Sequence, residues 1–201
     1  MADISDPPFN PNSPVPSDQA TGWYATSREW HLARSPEETE ITNFEFALMA
    51  ASSAFERYVI QTSRLVGEPE LGFNEVVIMH VVRMQDRPKD ATTIARFLNR
   101  DDLPNVQYAL RKMVSIGLIT KTKSGTSTVF EATEEGVRWT ERYSALRVKV
   151  LMDLMMSDEG FLNRLQSATR ALSMLAGMYD ASSRTAASLN PNTLFGEVDD
   201  E

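Results

Sequence analysis

The sequence predicts a mainly α-helical chain carrying one small β-hairpin, with a pair of short helices before the hairpin and long helices at either end. Three observations lead there. Apolar residues recur at helical spacing over long stretches on both sides of the centre. Two short periodic segments, Ala91 to Leu98 and Leu103 to Ser115, follow each other across a tight turn at Asn99-Arg100-Asp101. Directly after them, Leu118 to Lys123 and Thr128 to Thr133 are rich in β-branched residues and flank Ser124-Gly125-Thr126-Ser127.

Composition permits this reading without producing it. A chain of 201 residues, 42% hydrophobic and 24% charged, can bury a real core. No apolar run is long enough to span a bilayer, and the proline-rich, acidic start lacks the layout of a secretory signal, so a cytoplasmic, non-membrane protein is expected. With no cysteine, disulfides, thiolate metal sites and thiol sensing are excluded. The sequence has no HExxH, no Gly-rich phosphate loop and no GxSxG, and its two histidines stand far apart. Neither an enzyme nor a metal or cofactor site is expected. The acidic pairs Glu37-Glu38 and Glu134-Glu135 sit at helix starts, and Asp199-Asp200 in a tail.

Residues 1–34 hold most of the prolines and read as a flexible arm, whose Trp23, Tyr24 and Trp30 are read as docking on the body or on a partner subunit. Ser35-Pro36-Glu37-Glu38 starts a helix that runs to about Val66, where Gly67 and Pro69 stop it. Phe73 to Met84 is too continuously apolar for an exposed helix and should be buried. Asp90 caps the helix Ala91 to Leu98, with Ile94, Phe97 and Leu98 inward. Asp101 or Asp102 caps the next, with Pro104 in its first turn and Val106, Ala109, Leu110, Met113 and Val114 on its apolar side. Gly117 ends it, and the hairpin follows as a wing. Thr133-Glu134-Glu135 opens a helix to about Met156. In the last helix, Phe161, Leu165, Ala168, Leu172, Leu175 and Tyr179 repeat with the period of a helix–helix seam.

Two short helices and a hairpin make a winged helix-turn-helix, the form that places its second helix in the DNA major groove. The net charge is −8, yet Arg87 to Lys123 holds eight basic residues against three acids, Asp90, Asp101 and Asp102. The long helices at the two ends suit a dimerisation domain. The expected division is therefore an arm over 1–34, a helical dimerisation domain over 35–70 and 134–183, a DNA-binding lobe over 71–133, and an acidic disordered tail over 184–201. Its interface is assigned to Ile41, Phe44 and Leu48 with Phe161, Leu165, Leu172, Leu175 and Tyr179.

The DNA-contacting set follows from position. Asn105, Gln107, Tyr108, Arg111, Lys112 and Ser115 form the non-core stripe of the second helix, where donor-rich side chains reach base edges and phosphates. Thr92, Thr93, Arg96, Asn99 and Arg100 lie on the supporting helix and turn, where backbone contact is expected; Asn105 is alternatively a cap. Lys121, Lys123 and Ser127 belong to the wing. His80, beside Arg83, is read first as a core histidine, and alternatively as part of a sensor pocket with Met79, Arg83 and Trp139.

The strings TTIARFLNRDDLPNVQYALRKMVSIGLITK and ATEEGVRWTE, with the order of elements around them, resemble the MarR family of bacterial winged-helix regulators over roughly Pro36 to Ser183. That resemblance implies a homodimeric repressor on a pseudo-palindromic operator in double-stranded DNA, one helix per half-site. It also implies release by a small aromatic or anionic ligand. Many members carry an Asp-x-Arg in the wing; Lys121 to Ser127 has neither residue, which moves the expected base reading to Leu103–Ser115. The competing expectation is a winged helix used for protein contact without specific DNA binding.

Overall fold

A computed structural model describes Leu32 and residues 35–156 and 160–190. Trp23, Tyr24, Trp30 and the acidic run at 197–201 lie outside the described residues. The chain divides into two units, residues 1–133 and 134–201.

In the first unit, Ser35 takes extended backbone and its Oγ accepts the Glu38 N–H at 3.3 Å, so helix α1 begins at Pro36 and runs to Val66. Gly67, at φ 94°, ends it in a conformation that a side chain would strain. The corner beyond is pinned by Ser63, whose hydroxyl donates to the Leu71 carbonyl (3.0 Å) and accepts the Leu71 N–H (3.3 Å). Helix α2 (Phe73–Arg83) buries Val76, Ile78, Met79, Val81 and Val82, as its continuous apolar sequence predicts.

Lys89, read above as part of the basic segment, is instead buried. Its ammonium closes the end of α2 by donating to the carbonyls of Val82 (3.1 Å), Arg87 (2.9 Å) and Met84. Those are carbonyls that a helix end and the turn after it leave without partners. Burial, and then the charge of Arg87, pulls the lysine pKa down.

Lys89 and Asp90 also form a two-residue strand, β1, which the sequence did not reveal. Helix α3 (Ala91–Phe97) and helix α4 (Leu103–Ser115) follow, then β2 (Ile119–Ser124) and β3 (Ser127–Ala132). The strands form an antiparallel sheet in the order β1-β3-β2. Each hairpin strand is displaced one residue from its expected start, because Ser124 pairs with Ser127 and leaves a two-residue turn. Gly125 takes φ 61° at the first position of that turn. Ile94, Val106, Leu110, Met113, Leu118, Ile119 and Phe130 are buried with the α2 residues and form the core.

Phe97, expected inward, is 44% exposed, while Ala95 is buried. The inward arc of α3 is centred between Ile94 and Ala95, and Phe97 stands about 110° around the helix from that centre.

The second unit starts with α5 (Glu134–Arg147), continues through a π-helical stretch at Val148–Met152, and reaches α6 (Asp153–Met155). The sequence showed this as one helix; the wider turn falls among residues without special composition. Trp139 and Tyr143, one turn apart and both buried, stack with centroids 5.6 Å apart. Helix α7 runs Phe161–Ser188, past the expected end at Ser183. Thr185-Ala186-Ala187 contains no helix breaker, and alanine favours helix without adding to an apolar stripe. The tail assigned to 184–201 is thus helical over its first five residues.

Leu165, Leu172 and Tyr179 are exposed on α7, and Phe161 and Leu175 half-buried; on α1, Ile41 and Leu48 are exposed and Phe44 half-buried. Within the chain α1 belongs to the first unit and α7 to the second. Among the described residues no helix is long and apolar enough to cross a membrane.

Candidate nucleic-acid interface

The helix-turn-helix is held from its polar side chains outward. Asp90 Oδ1 accepts the Thr93 N–H at 2.7 Å, capping α3 and holding the Asp90 carboxyl below its usual pKa. Thr93 is thereby part of the cap. In the turn Asn99 adopts φ 51°, and the Arg100 N–H reaches the Ala95 carbonyl at 3.0 Å.

Arg100 then folds its guanidinium onto Asp102, with Nε 2.8 Å and Nη2 2.7 Å from the two carboxylate oxygens. Its Nη1 donates to Asn74 Oδ1 at 3.0 Å. Asn105 Nδ2 donates to the same carboxylate at 3.0 Å. These bonds, Arg100 first and Asn105 next, lower the Asp102 pKa to about 2. Asp102 sits at the helix cap position yet makes no side-chain cap bond, since its oxygens are taken.

Helix α4 turns Val106, Ala109, Leu110 and Met113 inward. Outward it presents Asn105, Gln107, Tyr108 and Arg111, all exposed, with Tyr108 at 63%. Lys112, on the edge, is half-buried and pairs through Nζ with Glu75 Oε1 of α2 at 3.0 Å. On the wing, Lys121 and Lys123 alternate onto one side of β2, both exposed.

Between these elements lies a cleft of about 570 Å³. Ala91 and Thr92 of α3, Gln107, Arg111, Val114 and Ser115 of α4, and Lys121, Ser127, Thr128 and Phe130 of the wing line it, with Asp90 beside them. Six residues named from the sequence, Thr92, Gln107, Arg111, Ser115, Lys121 and Ser127, therefore meet on one concave surface. Arg96, Asn99, Tyr108 and Lys123 are exposed outside this lining.

Arg100, Lys112, Asn105 and Thr93 instead bond within the lobe. Sequence reasoning placed Val114 on the apolar side of α4 and did not find Thr128 and Phe130, for which the alternation of β3 carried the signal. The exposed cations of the basic segment are Arg87, Arg96, Arg111, Lys121 and Lys123, fewer than the eight counted, because Lys89, Arg100 and Lys112 have internal partners.

The expected sensor residues are less gathered. Met79 is fully buried in α2, and Arg83 forms an ion pair with Asp86. His80 is half-buried on the same helix, and Trp139 lies in the second unit.

Residues 71–136 match the family model of the winged helix DNA-binding domain. None of the curated proteins compared matches the chain. Among solved structures, Rv1404 from Mycobacterium tuberculosis is 16% identical with a TM-score of 0.56, over 66% of this chain and 94% of that one. A MarR family transcriptional regulator from Rhodococcus sp. RHA1 is 14% identical with a TM-score of 0.53, over 70% and 96%. CouR from Rhodococcus jostii RHA1, bound to p-coumaroyl-CoA, is 15% identical with a TM-score of 0.51, over 64% and 90%. The fold is that of a MarR-type winged-helix regulator.

Proposed function

We propose that this chain is a MarR family transcriptional regulator that binds specific double-stranded DNA. It acts as a homodimer on a pseudo-palindromic operator, as a repressor. One observation carries the reading: Gln107 and Arg111 of α4 and Lys121 and Ser127 of the wing line a single cleft on the exposed face of a matched winged helix domain. Gln107, Tyr108 and Arg111 are assigned to base edges, and Thr92, Arg96, Asn99, Lys121, Lys123 and Ser127 to the backbone. The exposed seam residues of α7, with Ile41 and Leu48 of α1, are what a homodimer would cover.

Release by a small aromatic or anionic effector is the regulatory part of the proposal. It draws on the ligand held by CouR. Met79 and Trp139 offer no free surface, so His80 and Arg83 remain the candidate contacts.

The test is sequencing of duplexes selected by the purified protein, followed by titration against salt. A palindrome and a steep fall of affinity with salt are expected; weak, salt-insensitive binding would overturn the reading. A winged helix used for protein contact is the second reading, favoured by the exposed ring of Tyr108 and the acid of Asp90 beside the cleft.

A further inference from the structure

Two basic residues of the helix-turn-helix are gripped by consecutive residues of another helix. Asn74 and Glu75 stand in the first turn of α2; Asn74 takes Arg100 before α4 begins, and Glu75 takes Lys112 near its end. Glu75 is the inner member, its side chain 12% exposed. A carboxylate so covered needs a cation or hydrogen bonds beside it, and Lys112 supplies both.

Gly72 borders the same carboxylate. A Cβ built there would lie 2.7 Å from Glu75 Oε2, the end of the side chain, so an added methyl would push that oxygen aside. The Gly72 backbone, at φ −75° and ψ 173°, is open to any residue. The glycine therefore leaves room for the carboxylate to fold back. Just before it, Leu71 is locked to Ser63 of α1.

The apolar contacts of α4 supply most of its hold on the core, and they are less directional than a charge-assisted hydrogen bond. Reading base edges tolerates only about 0.5 Å of displacement. We infer that Glu75 is a positioning residue for sequence recognition: acting through Lys112, it sets the height and roll of α4 against α2. The inference rests on the DNA-reading assignment proposed above. It also gives the pair a sign. If Glu75 merely neutralised a phosphate-contacting lysine, removing its charge would tighten binding to every duplex.

The test uses full-length Glu75→Gln, Gly72→Ala and the double variant. Amide exchange is read across 103–115, and affinity for the selected duplex and for a scrambled one is measured at several salt concentrations. Glu75→Gln is expected to speed exchange over 106–112 about tenfold while α7 is unchanged. The preference for the selected duplex should fall about tenfold, with scrambled affinity and salt slope unchanged. Gly72→Ala, which pushes Oε2 aside, should produce both effects in weaker form, and the double variant should be no worse than Glu75→Gln. Should Glu75→Gln fail to fold, Gly72→Ala alone carries the same two readouts. Unaltered exchange across α4, or tighter binding to both duplexes, would overturn the inference. If the unmodified protein prefers no duplex, the regulator reading fails, while exchange and non-additivity still decide whether Glu75 positions α4.

Discussion

Arg100 lies flat against Asp102, two nitrogens on two oxygens at 2.8 and 2.7 Å, at the entrance to α4. The arginine that the basic segment seems to offer outward is thus turned onto its own helix-turn-helix. Its guanidinium is held beside the first turn of α4.

That pair gives the lobe an acid limit. The Asp102 pKa is lowered to about 2 in the folded chain, so the contribution is complete above the ordinary carboxylate value of 3.8 and is lost as pH falls toward about 2. Melting temperatures measured from pH 5 to pH 2 should fall less steeply for Asp102→Asn than for the unmodified protein. Parallel curves would show that the pair contributes nothing to folding.

Lys89→Ala should destabilise the first unit by about 2–3 kcal/mol, because the carbonyls of Val82, Met84 and Arg87 lose their common donor in a buried site. Urea unfolding measures this. Lys89→Met, which keeps the stem, should recover little.

Arg111→Ala and Lys121→Ala separate reading from holding. The first is expected to weaken binding to the selected duplex by about 1–3 kcal/mol and to relax preference at one base pair. The second should weaken all duplexes alike and reduce the salt slope by about one. Fluorescence anisotropy over a salt series distinguishes them.

Leu172→Asp tests the assembly. Leu172 is 44% exposed in the single chain, so the charge should leave helix content intact. Sedimentation should show a shift from dimer to monomer, and operator affinity should fall with it.

Much of this was legible in the sequence where the signal is local. Ser35-Pro36 and Gly67 bound α1 because caps act over three residues, and the apolar period of α4 gave both its limits and its inward face. What escaped depends on distance. Lys112 and Arg100 look like solvent-facing cations until Glu75 and Asn74, 37 and 26 residues earlier, are brought beside them. Lys89 follows the same logic, since three carbonyls converge only once α2 and its turn have formed. A strand as short as β1 has no period to detect, and the end of α7 has no apolar stripe.

The enclosure of Lys89 also makes it a natural reporter. An amine-acylating reagent can reach Lys121 and Lys123 at any moment, but it meets Lys89 only when the end of α2 separates from the turn that follows. The ratio of labelling rates, read by mass spectrometry, would give the frequency of that opening in the intact protein. The chain therefore carries its own internal clock for local unfolding beneath the recognition surface, with no probe to introduce.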